Sequence, residues 1–263
     1  MIKLAVSGAC GRMGRRIVAL AQESDIFEVA AALEQTGHEL IGRDIGAIAA
    51  IGDIGVNVAD DLESPCDVMI DFSLPQGTEK WTAVCSENKI PLVVGTTGLS
   101  ETQQQKLKDA AKHIPVLLGA NMSLGVNLLF SLAGEVAKKL GDDYDLEIIE
   151  THHRFKRDAP SGTAVVLAKK IAAAKGWPWP DCVVHGRQGK EALREKNTIG
   201  MHAVRAGDTV GEHRVMYSAL GETVELRHHA HTRDIFVRGA LHAAQWLANQ
   251  KPSLYDMADV LGL

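Results

Sequence analysis

The segment that most constrains the fold is a glycine-rich loop near the N-terminus, between an apolar run and a helical pattern. The apolar run is Ile2 to Ser7, and apolar residues at helical spacing extend from Arg12 to Gln22. The loop between them carries Gly8, Gly11 and Gly14, the spacing G-x-x-G-x-x-G. A strand, a glycine loop and a helix in this order are typical of dinucleotide binding, because glycine lets the backbone approach the pyrophosphate and the helix N-terminus faces its charge.

An acidic residue stands where such a unit would contact the cofactor ribose. The next strand is predicted at Phe27 to Leu33, and Glu34 follows it, 20 residues after Gly14. A carboxylate there accepts a hydrogen bond from the 2′-hydroxyl and repels a 2′-phosphate. Gln35 comes next, so no arginine follows Glu34, and the pattern favours NADH over NADPH, although Arg12 can still touch a phosphate. The alternative is a glycine-rich turn in some other α/β protein.

The first 120 residues alternate β-branched runs with helical patterns, which indicates a parallel sheet flanked by helices. After Asn121 a long helix, a strand at 146–150 and a helix near Ser161 precede β-like pieces between 198 and 231, which suggest an antiparallel or mixed sheet. Two loops of the first region also fit cofactor contacts, because ligands bind beyond the carboxyl ends of parallel strands. They are Gly95-Thr96-Thr97-Gly98 and Ala120-Asn121-Met122-Ser123. Loops with good turn chemistry and no ligand are an equally good interpretation of both.

The most unusual stretch of the chain is polar and follows the strand at 146–150. Two histidines, two arginines and one lysine lie at positions 152–157, and Ser161-Gly162-Thr163 then opens a helix. Helix-start amides, hydroxyls and cations together form a site for carboxylates. A histidine among them can supply a proton, because its unperturbed pKa lies near working pH. The alternative is a solvated basic loop.

The histidine count also raises the alternative of a metal site. His228, His229 and His231 lie close together, and on a strand the last two would share a face. No aspartate, glutamate or cysteine stands beside them at a familiar ligand spacing, so no metal is predicted. We interpret them as polar positions on a sheet, with one or two near an anionic ligand.

Charge and hydropathy exclude several classes of protein. The formal net charge is −5, which gives no support to a nucleic-acid partner. No apolar run approaches the roughly 18 to 20 residues that span a bilayer, and no secretory leader opens the sequence. We therefore expect a cytoplasmic protein without a membrane partner. The four cysteines have no C-x-x-C spacing and are interpreted as free thiols.

In their order along the chain, these motifs resemble the dihydrodipicolinate reductase family, also called 4-hydroxy-tetrahydrodipicolinate reductases. The resemblance extends over essentially the whole chain and is carried by seven segments. They are 8–14, 95–98, 150–154, 156–164, 199–200, 204–208 and 210–213. The histidine segment with its ending Asp158-Ala159-Pro160-Ser161-Gly162-Thr163 is highly specific, whereas many families share the glycine loop.

The resemblance implies a Rossmann-like dinucleotide-binding domain at residues 1–123, to which 233–263 return. It also implies an α+β substrate domain with a mixed sheet at 124–232, which assembles a homotetramer. The implied reaction is the reduction of 4-hydroxy-tetrahydrodipicolinate to tetrahydrodipicolinate with NADH or NADPH, with loss of water, in lysine and diaminopimelate biosynthesis. The implied substrate is thus a small dicarboxylate.

By position, the resemblance implies that His152 is the acid–base residue and Lys156 its partner proton donor. The substrate would be bound by His153, Ser161, Gly162 and Thr163. The cofactor would be lined by Gly8, Ala9, Cys10, Gly11, Arg12, Met13, Glu34, Gly95, Thr96, Thr97, Gly119, Ala120, Asn121, Met122, Arg233 and Phe236.

The chain departs from the family pattern at three positions. Gln35 and Leu74 stand where a family member has arginine, and the loss of two cations near the adenosine end supports NADH as the preferred cofactor. Met122 replaces a phenylalanine and alters packing without changing the chemistry. Two alternatives stay open: an amino-acid or semialdehyde dehydrogenase on the same framework, and a non-catalytic NAD-sensing regulator, for which no helix-turn-helix pattern is visible.

Overall fold

The computed structural model describes the chain from Met1 to Leu263 and divides it into two compact units. The first unit comprises Met1–Leu124 and Asp234–Leu263, and the second comprises Gly125–Arg233. These bounds differ by one residue from those expected above.

The secondary structure consists of twelve strands and eight helices. The strands are β1 (Ile2–Ser7), β2 (Phe27–Leu33), β3 (Val58–Ala59), β4 (Val68–Asp71), β5 (Leu92–Val94), β6 (Pro115–Leu118), β7 (Asp145–His152), β8 (Val183–His185), β9 (Ile199–Arg205), β10 (Gly211–Ala219), β11 (Glu222–Ala230) and β12 (Ser253–Tyr255). The helices are α1 (Arg12–Gln22), α2 (Ile45–Ile48), α3 (Pro75–Asn88), α4 (Glu101–Ala110), α5 (Leu124–Leu140), α6 (Gly162–Lys175), α7 (Asp234–Leu247) and α8 (Met257–Leu261).

The first unit is built on a seven-stranded parallel sheet with the order β12-β6-β5-β4-β1-β2-β3. Its central strands are apolar and buried, as both faces of a parallel sheet must be covered by helices. The order 3-2-1-4-5-6 is that of the Rossmann fold, which binds dinucleotides beyond the carboxyl ends of its strands. The predicted β1, α1 and β2 have the observed bounds.

The second unit is built on a five-stranded sheet with the order β11-β10-β7-β9-β8. The β10 strand runs antiparallel to β7 and β11, whereas β7, β8 and β9 are parallel, so the sheet is mixed as predicted. Residues of α5 and α6 pack on one face around Ile148 and the buried Tyr217. The hydroxyl of Tyr217 donates to the carbonyl oxygen of Ala133 over 2.8 Å, which satisfies it within this core.

One boundary of the second unit differs from its prediction in a way that bears on function. The strand predicted to end at residue 150 continues to His152. Leu146, Ile148, Glu150 and His152 are all buried on one face, because side chains alternate along a strand. The sequence pattern missed this continuation because the two added residues, Thr151 and His152, are polar.

No helix combines the length and the apolar character that crossing a membrane requires.

Candidate active site

The glycine loop joins β1 to α1 and can accommodate no side chain at two of its three glycines. Gly8 has a φ of +71°, and a Cβ on it would lie 2.4 Å from the carbonyl oxygen of Phe72. A Cβ on Gly14 would lie 2.2 Å from the carbonyl oxygen of Gly8. Gly11 is the N-cap of α1 and has no capping side chain, so no side chain satisfies the first amides of the helix there. This cradle fits a phosphate, since it lies at a helix N-terminus.

The carboxylate of Glu34 lies against this loop. Its Oε1 accepts a hydrogen bond from the backbone N–H of Cys10 over 3.0 Å, and its Oε2 accepts one from the N–H of Gln35 over 3.2 Å. An ionised carboxylate accepts about four hydrogen bonds, so capacity remains for ribose hydroxyls. The nearby thiol stays protonated, because burial and the charge of Glu34 raise the pKa of Cys10 to about 11.

A cavity of about 590 Å³ opens beside the loop. Its lining includes Gly8, Cys10, Gly11, Glu34, Gln35 and Leu74. Lys80 also lines it and was missed by the sequence analysis. The ammonium of Lys80 donates to the carbonyl oxygen of Asp60 and lies 4.5 Å from the centroid of the Trp81 ring. The cavity therefore has one carboxylate, that of Glu34, and one cation, the ammonium of Lys80, which already has partners within the protein.

A buried carboxylate organises the loop that follows β5. Asp71 is fully buried, and its Oδ2 accepts hydrogen bonds from the hydroxyls of Thr78 over 2.5 Å and Thr96 over 3.0 Å. Beside it the ring of Phe72 packs on Gly95, where a Cβ would lie 2.3 Å from a ring carbon. The predicted cofactor residues Gly95 and Thr96 are thus held against the loop after β4. The sequence analysis did not single out Asp71.

The loop after β6 is held by α7. A Cβ on Gly239 of this helix would lie 1.7 Å from the carbonyl oxygen of Met122, so helix and loop are in direct backbone contact. Met122 is buried, and Asn121 accepts a hydrogen bond from the N–H of Ser123 over 2.9 Å. A Cβ on Gly119 would lie 3.1 Å from the Met122 side chain. Because β1, β4, β5 and β6 are neighbours in the sheet, all these loops lie at its carboxyl edge.

The remaining predicted cofactor residues differ in burial and in the unit to which they belong. Ala9 is buried in the first core, and Met13 and Phe236 pack against that core. Arg12, Thr97 and Ala120 are exposed. Arg233 is the last residue of the second unit, whereas Phe236 belongs to the first.

In the second unit, His152 forms a short contact with a buried carboxylate. Its Nδ1 lies 2.6 Å from Oε2 of Glu150, two residues earlier on the same face of β7. The N–H of Ala206 donates to the carbonyl oxygen of His152 over 2.9 Å, which fixes the backbone. Burial lowers the pKa of His152 below its ordinary value and outweighs Glu150, which raises it; Lys156 and Arg205 lower it further. The ring is therefore largely neutral at neutral pH and can still accept and release a proton.

Glu150 is fully buried and accepts three hydrogen bonds from two residues besides its contact with His152. The guanidinium of Arg205 donates to both carboxylate oxygens, over 2.8 Å each, and the N–H of Ser161 donates over 3.0 Å. The same guanidinium donates to the carbonyl oxygen of Asp158 over 2.7 Å. These donors hold the pKa of Glu150 below its ordinary value despite burial, which opposes them most strongly. The carboxylate is thus ionised inside the protein.

The turn that opens α6 packs against a second histidine. Ser161 is the N-cap of α6, and its Oγ accepts from the N–H of Ala164 over 3.2 Å and lies 3.0 Å from Nε2 of His213. The ring of His213 meets that of His152 edge-on, with the centroids 5.1 Å apart. Burial, with a contribution from His152, lowers the pKa of His213 to about 3, so this ring stays neutral. Both the hydroxyl and the N–H of Ser161 therefore already have hydrogen-bond partners within the protein.

Lys156 and His153 lie in the loop that follows β7. The ammonium of Lys156 lies 2.8 Å from Oδ1 of Asp158, and the N–H of Lys156 donates to the carbonyl oxygen of His153 over 3.1 Å. Nδ1 of His153 is buried without a partner in the chain. Gly162 and Thr163 are the first two residues of α6. The second unit thus gathers the predicted catalytic and substrate residues on one loop and helix start.

Three residues of this cluster were missed by the sequence analysis as functional positions: Glu150, Arg205 and His213. The alternation of Glu150 and His152 was a usable signal, since residues two apart share a face of a strand. Arg205 and His213 come from β9 and β10, which pair with β7 in the sheet. No local pattern connects them to the histidine segment.

Comparison with known families covers almost the whole chain. The model of the N-terminal part of dihydrodipicolinate reductase matches residues 2–122, and that of its C-terminal part matches residues 125–261. The chain belongs to the dihydrodipicolinate reductase family. The resemblance inferred from the motifs is thereby confirmed, and so is the expectation of an NAD(P)H-dependent oxidoreductase.

Relatives and one solved structure of this reductase family align with the chain over all or nearly all of their lengths. The 4-hydroxy-tetrahydrodipicolinate reductases of Geotalea uraniireducens and Geobacter metallireducens are each 47% identical over 266 residues, covering 100% of this chain and of the relative. A dipicolinate-bound dihydrodipicolinate reductase from Paenisporosarcina sp. TG-14 superimposes with a TM-score of 0.78 at 25% identity and covers 98% of both chains. An amine dehydrogenase from Mycobacterium smegmatis, at 12% identity and a TM-score of 0.59, shares the fold alone.

Proposed function

We propose that this chain reduces 4-hydroxy-tetrahydrodipicolinate to tetrahydrodipicolinate with NAD(P)H and loss of water, in lysine and diaminopimelate biosynthesis. The relatives that match its full length carry the name of this reaction, and the solved relative binds dipicolinate, a planar dicarboxylate of the same class. The observation that carries the proposal is the buried pair of Glu150 and His152 beside the first turn of α6. It combines a proton donor with an anion-binding turn, as reduction of a dicarboxylate requires.

The cofactor would be held by the glycine loop and by Glu34. The loop would hold the pyrophosphate at the N-terminus of α1, and the free lone pairs of Glu34 would accept hydrogen bonds from the ribose hydroxyls. The loops at 95–97 and 119–122 complete the carboxyl edge of the sheet. When bound, the nicotinamide supplies the hydride.

The substrate is bound by the second unit through its two carboxylates. The first turn of α6, with Gly162 and Thr163, directs backbone N–H groups and the positive end of the helix dipole toward an anion. His153 and Lys156 add a buried ring nitrogen and a cation from the neighbouring loop. Ser161 shapes the turn through its own hydroxyl and N–H. The carboxylates also raise the pKa of His152 on binding, because they are anions close to the ring.

His152 delivers the proton that completes the reduction. Its Nδ1 is occupied by Glu150, so the proton leaves from Nε2. Lys156 assists as the second proton donor and as the cation that neutralises a carboxylate. The protein otherwise orients the substrate and stabilises the charge that develops in the transition state.

The proposed reaction is tested by following NADH oxidation at 340 nm, with substrate generated in situ from pyruvate and aspartate semialdehyde by the preceding synthase. We expect substrate-dependent loss of absorbance with both cofactors and a higher kcat/KM for NADH, because Glu34 repels a 2′-phosphate and neither Gln35 nor Leu74 offers a cation. Glu34→Gln should lower the ratio of kcat/KM for NADH to kcat/KM for NADPH. Glu28→Gln, on the exposed side of β2, should leave this ratio unchanged. No oxidation by protein that binds NADH would overturn the reaction; a higher kcat/KM for NADPH would overturn only the preference and implicate Lys80.

Replacement of Lys156 by alanine should impair both binding and turnover. We expect KM for the substrate to rise and kcat to fall, each by about tenfold or more, because the ammonium combines proton donation with anion binding. Steady-state kinetics against substrate concentration measure both values. Lys169→Ala, a lysine of α6 whose ammonium lies 5.4 Å from the Trp179 ring, is the matched control and should change neither. Unchanged kcat in Lys156→Ala would restrict Lys156 to binding.

The oligomeric state belongs to the same proposal. The outer edge of the mixed sheet is β11, and most of its side chains are exposed, including Val224. An uncovered edge strand of nine residues is a natural site for association between copies, since its backbone groups lack a neighbour on one side. This supports association between copies. The homotetramer that the family resemblance implies would be measured by light scattering of the purified chain. The biosynthetic reaction itself supports a cytoplasmic location.

A further inference from the structure

The buried Glu150 has a geometry that goes beyond pairing one charge with another. Its carboxylate contacts β7 through His152, β9 through Arg205 and the start of α6 through the N–H of Ser161. We propose that Glu150 is the positioning residue of the reaction: it selects the tautomer of His152, stabilises its protonated ring and aligns that ring with the anion-binding turn. The inference rests on the proposed role of His152 as proton donor.

The tautomer follows from the contact between the two side chains. An ionised carboxylate has no proton to donate, so the 2.6 Å contact requires the hydrogen on Nδ1 of His152. In the neutral ring Nε2 is then the bare nitrogen, and in the protonated ring Nε2 carries the transferable proton. Nε2 faces Gly211, where a Cβ would lie 3.1 Å away. The glycine keeps a side chain off the reactive nitrogen.

Arg205 keeps the carboxylate in the form that this role requires. Burial alone would favour a protonated Glu150, which could not hold Nδ1 as donor. The two 2.8 Å hydrogen bonds from Arg205 oppose this and raise the pKa of Arg205 in turn. Since His152 and Arg205 are direct partners in the register of β7 and β9, the sheet itself sets the distance.

Glu150 is also the one nearby group that favours the protonated ring. The charged and titratable groups facing His152 are Glu150 on its own strand, Arg205 on β9, His213 on β10, and Lys156 and Asp158 in the following loop. Burial, Lys156 and Arg205 all lower the pKa of His152, and the Glu150 carboxylate raises it. The Asp158 carboxylate is already paired with Lys156. Without the charge of Glu150, the ring would lose most of its capacity to act as an acid at neutral pH.

Glu150→Gln tests the inference through the pH dependence of kcat. Loss of an opposite charge at this distance shifts a pKa by about one to two units, and each unit changes the protonated fraction tenfold. We therefore expect kcat near neutral pH to fall about 10- to 100-fold, and the limb on which kcat declines with rising pH to move down by about one to two units. A limb at the wild-type position would overturn the inference.

The matched control is Glu147→Gln on the opposite face of the same strand. Glu147 also binds arginine and histidine side chains, with Arg187 at 3.0 Å and His202 at 2.7 Å. Its loss removes a comparable ionic network, so thermal stability should fall similarly while the kcat limb stays in place. If Glu150→Gln does not fold, Glu150→Asp carries the test, because it keeps the charge but withdraws it by one methylene. In Glu150→Asp, the limb on which kcat declines with rising pH should move to lower pH by a smaller amount. A limb at the wild-type position would overturn the inference.

A double-mutant comparison separates this inference from the role of His152 itself. If Glu150 acts through His152, Glu150→Gln should cause no further loss of kcat in a His152→Gln background. A His152→Gln enzyme with wild-type kcat would refute the proton-donor role and the inference with it. A His152→Gln enzyme with low kcat, beside a Glu150→Gln enzyme with the wild-type profile, would refute the positioning role alone.

Discussion

Replacement of His152 by glutamine is expected to lower kcat by about 10²- to 10⁴-fold and to leave KM for the substrate within about threefold. Glutamine keeps a polar side chain beside Glu150 but offers no proton of suitable acidity to the reduced substrate. Binding of the dicarboxylate depends on the α6 turn and on Lys156, which the substitution does not touch. Stopped-flow and steady-state measurements at 340 nm, with saturating NADH, give both constants.

The control for this experiment is His202→Gln. His202 is likewise a histidine paired with a glutamate, since its Nε2 lies 2.7 Å from Glu147, but it belongs to a different network of the sheet. We expect its kcat to match that of the wild type. A His152→Gln enzyme within about threefold of wild-type kcat would show that another group supplies the proton, with Lys156 as the first candidate.

Gly14→Ala should cause a large loss of cofactor binding through the addition of a single methyl group. The new Cβ would lie 2.2 Å from the carbonyl oxygen of Gly8 and 2.6 Å from Cα of Ala9, and both are backbone atoms that cannot rotate away. Either the loop or α1 must move, and both form the pyrophosphate cradle. We expect Kd for NADH to rise at least about tenfold and the free energy of unfolding to fall by about 1 to 3 kcal/mol.

Fluorescence titration with NADH and thermal unfolding test the two effects separately. The graded comparison is Gly11→Ala, whose Cβ would meet only the Gly8 carbonyl oxygen, at 3.1 Å. This contact is tight but can be relieved by a shift of a few tenths of an ångström, so both effects should be smaller. Equal Kd values for Gly14→Ala and the wild type would mean that the loop does not hold the pyrophosphate.

The elements predicted from sequence share one property, which is that their signal is local. The bounds of β1, α1 and β2 follow from periodicity, and the capping box at Ser100 and Gln103 places the start of α4 correctly. The short α2, β3, β8, β12 and α8 were not predicted. Each has five residues or fewer, too few for a periodic pattern to distinguish it from a loop.

The residues at the carboxyl edge of the parallel sheet divide in the same way, into those with a local sequence signal and those without one. The glycine loop and Glu34 are separated by one helix and one strand, α1 and β2, and the order of strand, loop, helix and acid predicts that both contact the same cofactor. Asp71 and Lys80 belong to later segments and carry no motif. Their contribution to this edge became visible only when β4 was seen beside β1 and α3 beside the cavity.

The chemistry and the family could be inferred from the sequence alone, because the histidine segment and the glycine loop are each one continuous stretch of the chain. What the tertiary structure decided is how His152 is held. Arg205 is 55 residues away from Glu150, and it reaches the carboxylate because β9 pairs in parallel with β7 in a register that aligns it with His152. His213 arrives in the same way through the antiparallel pairing of β10. The physical reason is that strand pairing brings together residues far apart in sequence, and a one-residue slip in register would turn these side chains to the other face.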